Sequence, residues 1–238
     1  MSLVSIIIPA YNEESRLSST LDSIKKYVTS KKLRYEVLVV DDGSTDRTLH
    51  VASTYKGLKI KVIQNGKNRG KGYSIYHGVQ KASGDIIMFT DADLSTPISF
   101  LGDFMKYHRV GWDVVIASRD IAGSDVKVPQ NFFRELGGKF FNILVRFVAG
   151  LPLHDTQCGF KSFTRRAAWI IFTKQTIFDF GFDVEVLYIA QKHHLKIKES
   201  PVEWYNSPGT KVSFLKDSLK MFGELFKIRV NDAFGKYK

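Results

Sequence analysis

Apolar positions in the first half of the chain alternate between short continuous runs and helical spacing. The runs Leu3–Ile8 and Asp85–Thr90 are apolar on both faces, as buried parallel strands are. The predicted strands are Leu3–Ile8, Glu36–Val40, Lys59–Ile63, Asp85–Thr90 and Asp113–Ala117. The predicted helices are Ser15–Val28, Thr45–Tyr55, Gly72–Ala82 and Pro97–His108. This alternation predicts an α/β fold in which helices flank a mostly parallel central sheet.

The pattern changes after residue 120. Apolar residues return at helical spacing over 133–149, which predicts an amphipathic helix. A second amphipathic helix, rich in lysine and arginine on its polar face, is predicted over 214–230. The other predictions are a polar loop at 120–131, a short strand or turn at 155–163, a helix at 182–192 and an edge strand at 196–204. The second half therefore adds C-terminal amphipathic helices to the sheet.

The composition is that of a folded globular protein with a basic surface. The 238 residues are 44% hydrophobic and 25% charged, and the formal net charge is +11. This excludes a disordered or disulfide-built chain and favours anionic partners. The single Cys favours a reducing, cytoplasmic location. The longest apolar stretch, 140–151, is shorter than the roughly 20 residues of a membrane span, so we expect one domain over 1–238 without a signal peptide.

Acidic residues follow three of the predicted strands, and these strand ends meet at one edge of a parallel sheet. Ligands of such sheets bind beyond the carboxyl ends of the strands. The acidic set comprises Glu13, Asp41, Asp42, Asp91 and Asp93. Asp91 and Asp93 lie two residues apart, and their hard oxygen atoms suit Mg²⁺ or Mn²⁺. Clustered carboxylates repel one another without a cation, so the set predicts a metal site; the alternative is that Asp93 caps the next helix.

Other motifs are less specific. The segment GKNRGKG at 66–72 is a candidate basic loop beside a nucleotide, although it does not match G-x-x-x-x-G-K-[ST]. A flexible loop before a helix is the alternative. Cys158 is expected to be a packed residue rather than a nucleophile. The His residues show no metal-ligand spacing.

Taken in order, the motifs resemble a known family. They are PAYNEE (9–14), VVDDGSTD (39–46), FTDADLSTP (89–97), DTQCGFK (155–161), FDVE (182–185) and PGTKV (208–212). The first three resemble the family 2 glycosyltransferases of the GT-A, or nucleotide-diphospho-sugar transferase, fold. The last three resemble the polyprenyl-phosphate glycosyltransferase branch, most closely dolichyl-phosphate β-glucosyltransferases. The resemblance implies an inverting, metal-assisted transfer of a hexose, glucose from UDP-glucose, onto a polyprenyl or dolichyl monophosphate.

The resemblance also implies residue roles. The metal, Mg²⁺ or Mn²⁺, would bind Asp91 and Asp93. The nucleotide sugar would be held by Pro9, Tyr11, Glu13, Asp42, Lys71, Asp91, Ala92 and Lys211. The catalytic set would be Asp93, Arg119, Arg134, Asp155 and Gln157, with the two arginines on the acceptor phosphate and Asp155 and Gln157 in the sugar pocket. Residues 1–120 would form the nucleotide-binding half, and 121–238 the acceptor-binding half.

A long polyprenyl phosphate acceptor implies contact with a membrane. Relatives in this branch carry membrane helices that the sequence does not show, so the segments 133–148 and 214–230 would dock peripherally on anionic lipid at the cytoplasmic face. The alternatives within the class are a GDP-mannose-dependent mannosyltransferase and a sugar nucleotidyltransferase. Nucleic-acid binding is suggested by net charge alone and is not expected, because no RRM, KH or helix-turn-helix signature is present.

Overall fold

The structure, a computed structural model, describes residues 2–128, 142, 144–206 and 214–238. The strands are β1 (Leu3–Ala10), β2 (Arg34–Asp41), β3 (Ile60–Gln64), β4 (Ile86–Thr90), β5 (Val114–Ser118), β6 (Asp125–Val128), β7 (Phe160–Thr164), β8 (Ile197–Pro201) and β9 (Glu203–Tyr205). The helices are α1 (Leu17–Ser30), α2 (Thr48–Thr54), α3 (Lys71–Lys81), α4 (Leu101–Arg109), α5 (Arg165–Phe172), α6 (Phe182–Lys192) and α7 (Phe214–Ala233). Residues 144–149 are also helical.

One seven-stranded sheet, in the order β3-β2-β1-β4-β7-β5-β8, organises the molecule. β1 pairs in parallel with β2 and β4, β2 with β3, and β5 with β8. β7 runs antiparallel between β4 and β5. The prediction of a mostly parallel sheet is confirmed. Because β1, β2 and β4 run in one direction, the polar segments that follow them emerge at the same edge of the sheet.

Helices cover both faces of this sheet because its central strands are apolar on both sides. On β1, Ile6 and Ile8 pack in a core with α1 and α4, whereas Ile7 packs in a core with α3. The core on the α3 side also contains α5, α6 and the buried face of α7. The alternation of side chains along a strand thus divides one apolar run between two cores.

The structure differs from the sequence-based expectations after residue 120. The predicted loop at 120–131 contains strand β6, which pairs in parallel with β9 in a separate two-stranded sheet. Val126 in β6 is 41% exposed, so this strand lacks the apolar run that marks a buried one. The expected edge strand at 196–204 is two strands, β8 and β9, and these belong to different sheets.

Helix α5 was not predicted. It begins where the Thr164 side chain accepts a hydrogen bond from the Ala167 backbone N–H at 3.2 Å, the arrangement of an N-terminal cap. The predicted helix at 182–192 is confirmed with the same bounds. The predicted C-terminal helix is also confirmed and extends to Ala233. Most of the helix predicted over 133–149 lies outside the described residues.

Candidate active site

The segments that follow β1 and β2 are joined by a network of hydrogen bonds. Ala10 and Asp41 are register partners, so PAYNEE and DDGSTD leave the sheet side by side. Asn12 has a left-handed backbone, φ 54°, and its Oδ1 accepts the Thr45 N–H at 2.8 Å. The Glu14 N–H donates to Asp46 Oδ2 at 3.1 Å. Several of these polar side chains therefore shape the loops themselves.

Asp42 organises the basic loop at 66–70. Its carboxylate accepts the Asn65 side-chain amide at 2.7 Å and the backbone N–H groups of Arg69 and Gly70 at 3.0 and 2.9 Å. A Cβ atom at Gly43 would lie 2.6 Å from the Lys67 backbone, so the loop approaches β2 as closely as a glycine allows. The candidate basic loop is thus held at the same edge of the sheet as the acidic residues.

Asp41 differs from its neighbour Asp42 in its hydrogen bonding. Its side chain is buried, and the residue is 4% exposed. Its buried Oδ1 atom has no hydrogen-bond partner among the described residues. A buried oxygen without a donor is costly, so Asp41 is suited to accept a hydrogen bond from a ligand. This makes it a candidate ligand-binding residue that the resemblance did not include.

Asp91 and Asp93 follow β4, and each lies beside a cationic side chain. Lys71 Nζ, at the start of α3, lies 2.5 Å from Asp91 Oδ1. Arg16 Nη1 lies 3.7 Å from Asp93 Oδ2. The side chains of Asp91 and Asp93 are 37% and 22% exposed, so both remain accessible from the cleft. Ser95 donates its backbone N–H and its hydroxyl to Asp93 Oδ1, which orients that carboxylate.

Burial disfavours the charged form of Lys71, but the negative charges of Asp91 and Asp183 outweigh that effect and raise the pKa of Lys71. The ammonium therefore stays charged at neutral pH. A fixed positive charge beside two accessible carboxylates suits a ligand that combines a metal ion with phosphate groups.

Arg16 is the site residue that the sequence interpretation missed. Its Nε and Nη2 donate to the two oxygens of Glu13 at 2.8 and 3.0 Å. It therefore connects PAYNEE to the Asp93 carboxylate, which follows the neighbouring strand β4. Arg16 lies three residues after Glu13, so the sequence gives a signal for the contact between these two residues. The contact between Arg16 and Asp93 depends on strand order.

Pro9, Tyr11 and Ala92 lie at this same edge. Pro9 is the next-to-last residue of β1, and Tyr11, 37% exposed, follows the strand. The Ala92 side chain is buried, and its carbonyl accepts the Thr20 hydroxyl at 2.6 Å. Arg134 and Lys211 lie outside the described residues.

Asp155 and Arg119 form a buried ion pair. Asp155 is 0% exposed, and its Oδ2 accepts Arg119 Nε at 2.6 Å, while its Oδ1 accepts Arg119 Nη2 at 2.9 Å. Although burial opposes ionisation, the Arg119 charge lowers the pKa of Asp155. The Arg119 side chain is 24% exposed, and its guanidinium carbon lies 5.3 Å from the Trp204 ring centroid. The structure thus places Asp155 as a partner that orients Arg119.

The rest of the DTQCGFK segment packs beside the acidic edge. A Cβ atom at Gly159 would lie 1.9 Å from Asp91 Oδ2, so a side chain there would displace the carboxylate. Gln157 Nε2 lies 3.9 Å from Met221 Sδ on α7. Cys158 is buried, and burial raises the pKa of its thiol to about 11, which agrees with a packed rather than nucleophilic role.

At the carboxyl end of the parallel sheet, accessible carboxylates and two cationic side chains thus form a site suited to a metal ion and phosphate groups. The family model for glycosyl transferase family 2 matches residues 5–172. The chain belongs to glycosyl transferase family 2 and is a glycosyltransferase.

Several of the proteins to which this chain is similar carry the name dolichyl-phosphate beta-glucosyltransferase. The chain is 35% identical to the dolichyl-phosphate beta-glucosyltransferase of Homo sapiens, over 99% of this chain and 77% of the relative. It is 36% identical to the enzyme of that name from Drosophila melanogaster, with the same coverage. Among solved structures, glucosyl-3-phosphoglycerate synthase from Mycobacterium tuberculosis in complex with UDP superposes with a TM-score of 0.72 at 20% identity, covering 95% of this chain and 80% of that one. This likeness confirms the GT-A-like fold.

Proposed function

We propose that this glycosyltransferase moves glucose from UDP-glucose to a dolichyl or related polyprenyl monophosphate with inversion at the anomeric carbon. The observation that carries the proposal is the pair of accessible carboxylates, Asp91 and Asp93, beside Lys71 and Arg16. The choice of donor sugar and acceptor is supported by the similarity to dolichyl-phosphate beta-glucosyltransferases, which extends over 99% of this chain and 77% of each relative.

A divalent cation fits the donor end of this site. Asp91 and Asp93 supply hard oxygen atoms that are accessible from the cleft. Within the described ranges, no three Asp, Glu, His or Cys side chains are grouped as a complete metal site. Mg²⁺ is commonly bound by one or two protein carboxylates together with the phosphates of a substrate. When bound, Mg²⁺ or Mn²⁺ would neutralise charge on the diphosphate, and the Lys71 ammonium, which pairs with Asp91, would add to that effect.

The nucleoside would lie over the ends of β1 and β2. We infer contacts from Pro9, Tyr11 and Glu13, together with the buried Oδ1 of Asp41. Asp42 would act on the nucleotide through the loop at 66–70, because its oxygens accept N–H groups from that loop. Ala92 would border the ribose.

The acceptor phosphate would bind beside Arg119. A phosphate monoester loses its second proton near pH 6, so it is already a nucleophile at neutral pH. Its oxygen would form a bond to the anomeric carbon as the bond to UDP breaks, and the electron pair would leave with UDP. The Arg119 guanidinium, held by Asp155, reduces the repulsion between the two anions and fixes their alignment. A β-linked product from an α-linked donor corresponds to one displacement.

Helix α7 offers a surface for peripheral membrane contact. Its buried face includes Met221, Leu225 and Ile228, and an apolar stripe lies on the exposed face. The stripe comprises Phe222, Phe226 and Val230 of α7 and Phe234 directly after it, which are 40%, 50%, 51% and 79% exposed. No helix in the described part of the chain is long and apolar enough to cross a membrane. We infer that this stripe inserts into a cytoplasmic-facing anionic surface and that the neighbouring exposed Lys227 contacts lipid headgroups.

The catalytic proposal is tested by incubating the purified protein with dolichyl phosphate, Mg²⁺ or Mn²⁺, and either UDP-glucose or GDP-mannose. We expect dolichyl-phosphate glucose by mass spectrometry and a β-anomeric signal by NMR. Product from GDP-mannose and none from UDP-glucose would contradict the assigned donor sugar.

The membrane proposal has a separate test. Phe226→Asp should reduce flotation with phosphatidylserine-containing vesicles, because a charge in the stripe opposes insertion. Val110→Asp is the matched control, since Val110 is 74% exposed but lies at the end of α4. Equal flotation of both variants would contradict the role of the stripe.

A further inference from the structure

Lys161, on β7, is charged yet fully buried. Its Nζ donates to the Cys158 carbonyl at 2.8 Å and to the carboxylate of Asp183. It also lies 5.4 Å from the centroid of the Phe89 ring. An ammonium loses its hydration in a protein core and is retained there only when it is paired. Lys161 and Asp183 therefore form an internal ion pair.

Asp183 stands between this buried lysine and the candidate active site. It lies in the first turn of α6 and is 4% exposed. Burial raises the pKa of Asp183, while the positive charges of Lys161 and Lys71 oppose that effect. Lys71 in turn contacts Asp91. Charges of alternating sign thus extend from the cleft into the core through Asp91, Lys71, Asp183 and Lys161.

The backbones around this series of charges are packed without spare room. A Cβ atom at Gly72, next to Lys71, would lie 2.7 Å from Phe182 Cβ, next to Asp183. The corresponding atom at Gly159 would overlap the Asp91 carboxylate. The start of α3 therefore rests on the start of α6, and the segment before β7 rests on Asp91. A shift of the internal pair would be transmitted to both residues of the cleft.

We propose that Lys161 and Asp183 are a positioning pair that fixes Lys71 and Asp91 against the diphosphate of the donor. The inference rests on the proposed function, since it assumes a nucleotide-sugar donor. Neither residue is catalytic, because both are buried away from the reacting atoms. Their effect is expected at the diphosphate and not at the nucleoside.

The test compares Asp183→Asn with Glu185→Gln. Glu185 lies on the same helix and is also buried, but it accepts hydrogen bonds from Ile177 N–H and Tyr237 OH, in the C-terminal framework. Calorimetric titration with UDP-glucose and Mn²⁺ should show about tenfold weaker binding by Asp183→Asn, because Lys161 loses its charged partner and Lys71 loses a nearby negative charge that helps to fix it. Uridine affinity, measured by NMR, should not change. Glu185→Gln should lower Tm and leave both affinities unchanged.

Two further variants keep the proposal testable if Asp183→Asn folds poorly. The double variant Lys161→Met, Asp183→Leu replaces the pair with apolar side chains, which buried pairs often tolerate, and should show the same loss of UDP-glucose binding. In a Lys71→Met background, Asp183→Asn should cause a clearly smaller loss than in the wild-type background, because the part of its effect that passes through Lys71 is already gone.

The positioning role would be overturned if the losses of UDP-glucose affinity caused by Lys71→Met and Asp183→Asn were fully additive. It would also be overturned if Asp183→Asn weakened uridine binding as much as UDP-glucose binding. Unchanged UDP-glucose binding in a folded Asp183→Asn protein would also overturn it and leave the proposed function intact. A wild-type protein that binds no UDP-glucose would instead overturn the proposed function and, with it, this inference.

Discussion

The carboxylates that follow β4 and those of the segments after residue 150 have different surroundings. Asp91 and Asp93 are partly exposed and lie beside Lys71 and Arg16 at the cleft. Asp155, Asp183 and Glu185 are buried; Asp155 and Glu185 each accept hydrogen bonds from several donors, and Asp183 is paired with Lys161. The first group retains accessible oxygens for a ligand. The second group maintains the framework around it.

The comparison shows that residue type and motif membership do not assign a role. All these acids lie in motifs that support the family resemblance, but accessibility and partner distinguish ligand binding from positioning. An exposed carboxylate beside a cation is available to a metal or a phosphate-bearing ligand. A buried one is committed to its partner, because separating them would leave a charge without hydration.

The largest effect on activity is expected for Asp93→Asn. Loss of this charge at the diphosphate should lower kcat/KM by roughly 100-fold or more, while Tm changes little. Steady-state kinetics and circular dichroism melting measure the two quantities. Asp103→Asn is the control, since Asp103 pairs with Lys106 on the outer surface of α4. A folded Asp93→Asn enzyme with wild-type turnover would remove the cleft carboxylates from the mechanism.

Asp155→Asn should instead act first on stability. Arg119 would lose a buried, two-pronged partner, so the free energy of unfolding should fall by about 3 kcal/mol. Urea denaturation checks this against Asp125→Asn, whose surface pair with Lys127 contributes little. If Asp155→Asn had wild-type stability but no activity, the result would favour a direct role of Asp155 in the sugar pocket, which is the role that the family resemblance implies.

A smaller effect is expected at Arg16. Arg16→Lys keeps the charge but cannot bind both oxygens of Glu13, so KM for the donor should rise by roughly fivefold. Arg47→Lys is the matched control, because Arg47 also pairs with a glutamate, Glu14, but its side chain is 82% exposed. If both variants behave alike in donor kinetics, Arg16 belongs to the surface and not to the site.

The smallest effect concerns His108, on the α4 side of the sheet. Its Nδ1 contacts the Trp112 carbonyl at 2.9 Å and its Nε2 the Ser162 hydroxyl at 2.7 Å. Burial lowers the pKa of His108 below its ordinary value of 6.5, and the Trp112 carbonyl opposes this. The unfolded chain therefore takes up a proton first, so stability falls as pH drops below 6.5.

This contribution is at most about 1.4 kcal/mol per pH unit, the value for one proton. The free energy of unfolding, measured by urea titration between pH 5 and pH 8, should depend less on pH in His108→Gln than in wild type. The exposed His50→Gln variant should follow wild type. Identical slopes for all three proteins would show that His108 is protonated equally in the folded and unfolded states.

The local sequence determined much of the fold. Buried strands such as β1 and β4 are visible as apolar runs, and α6 is predicted with its bounds because a mostly apolar segment is bordered by Gly181 and His193. The acidic strand ends also identified the edge of the sheet that holds the candidate site. The exposed β6 and the short α5 gave weaker periodic signals and were missed.

The tertiary structure alone decided which charges meet. Arg16 reaches Asp93, and Lys161 reaches Asp183, because strand order and helix packing bring together residues that are far apart in the chain. It also decided that Asp155 is enclosed while Asp91 stays accessible. Hydrophobic periodicity is a property of neighbouring residues and can be read along the chain. The pairing and hydration of a charge depend on everything packed around it.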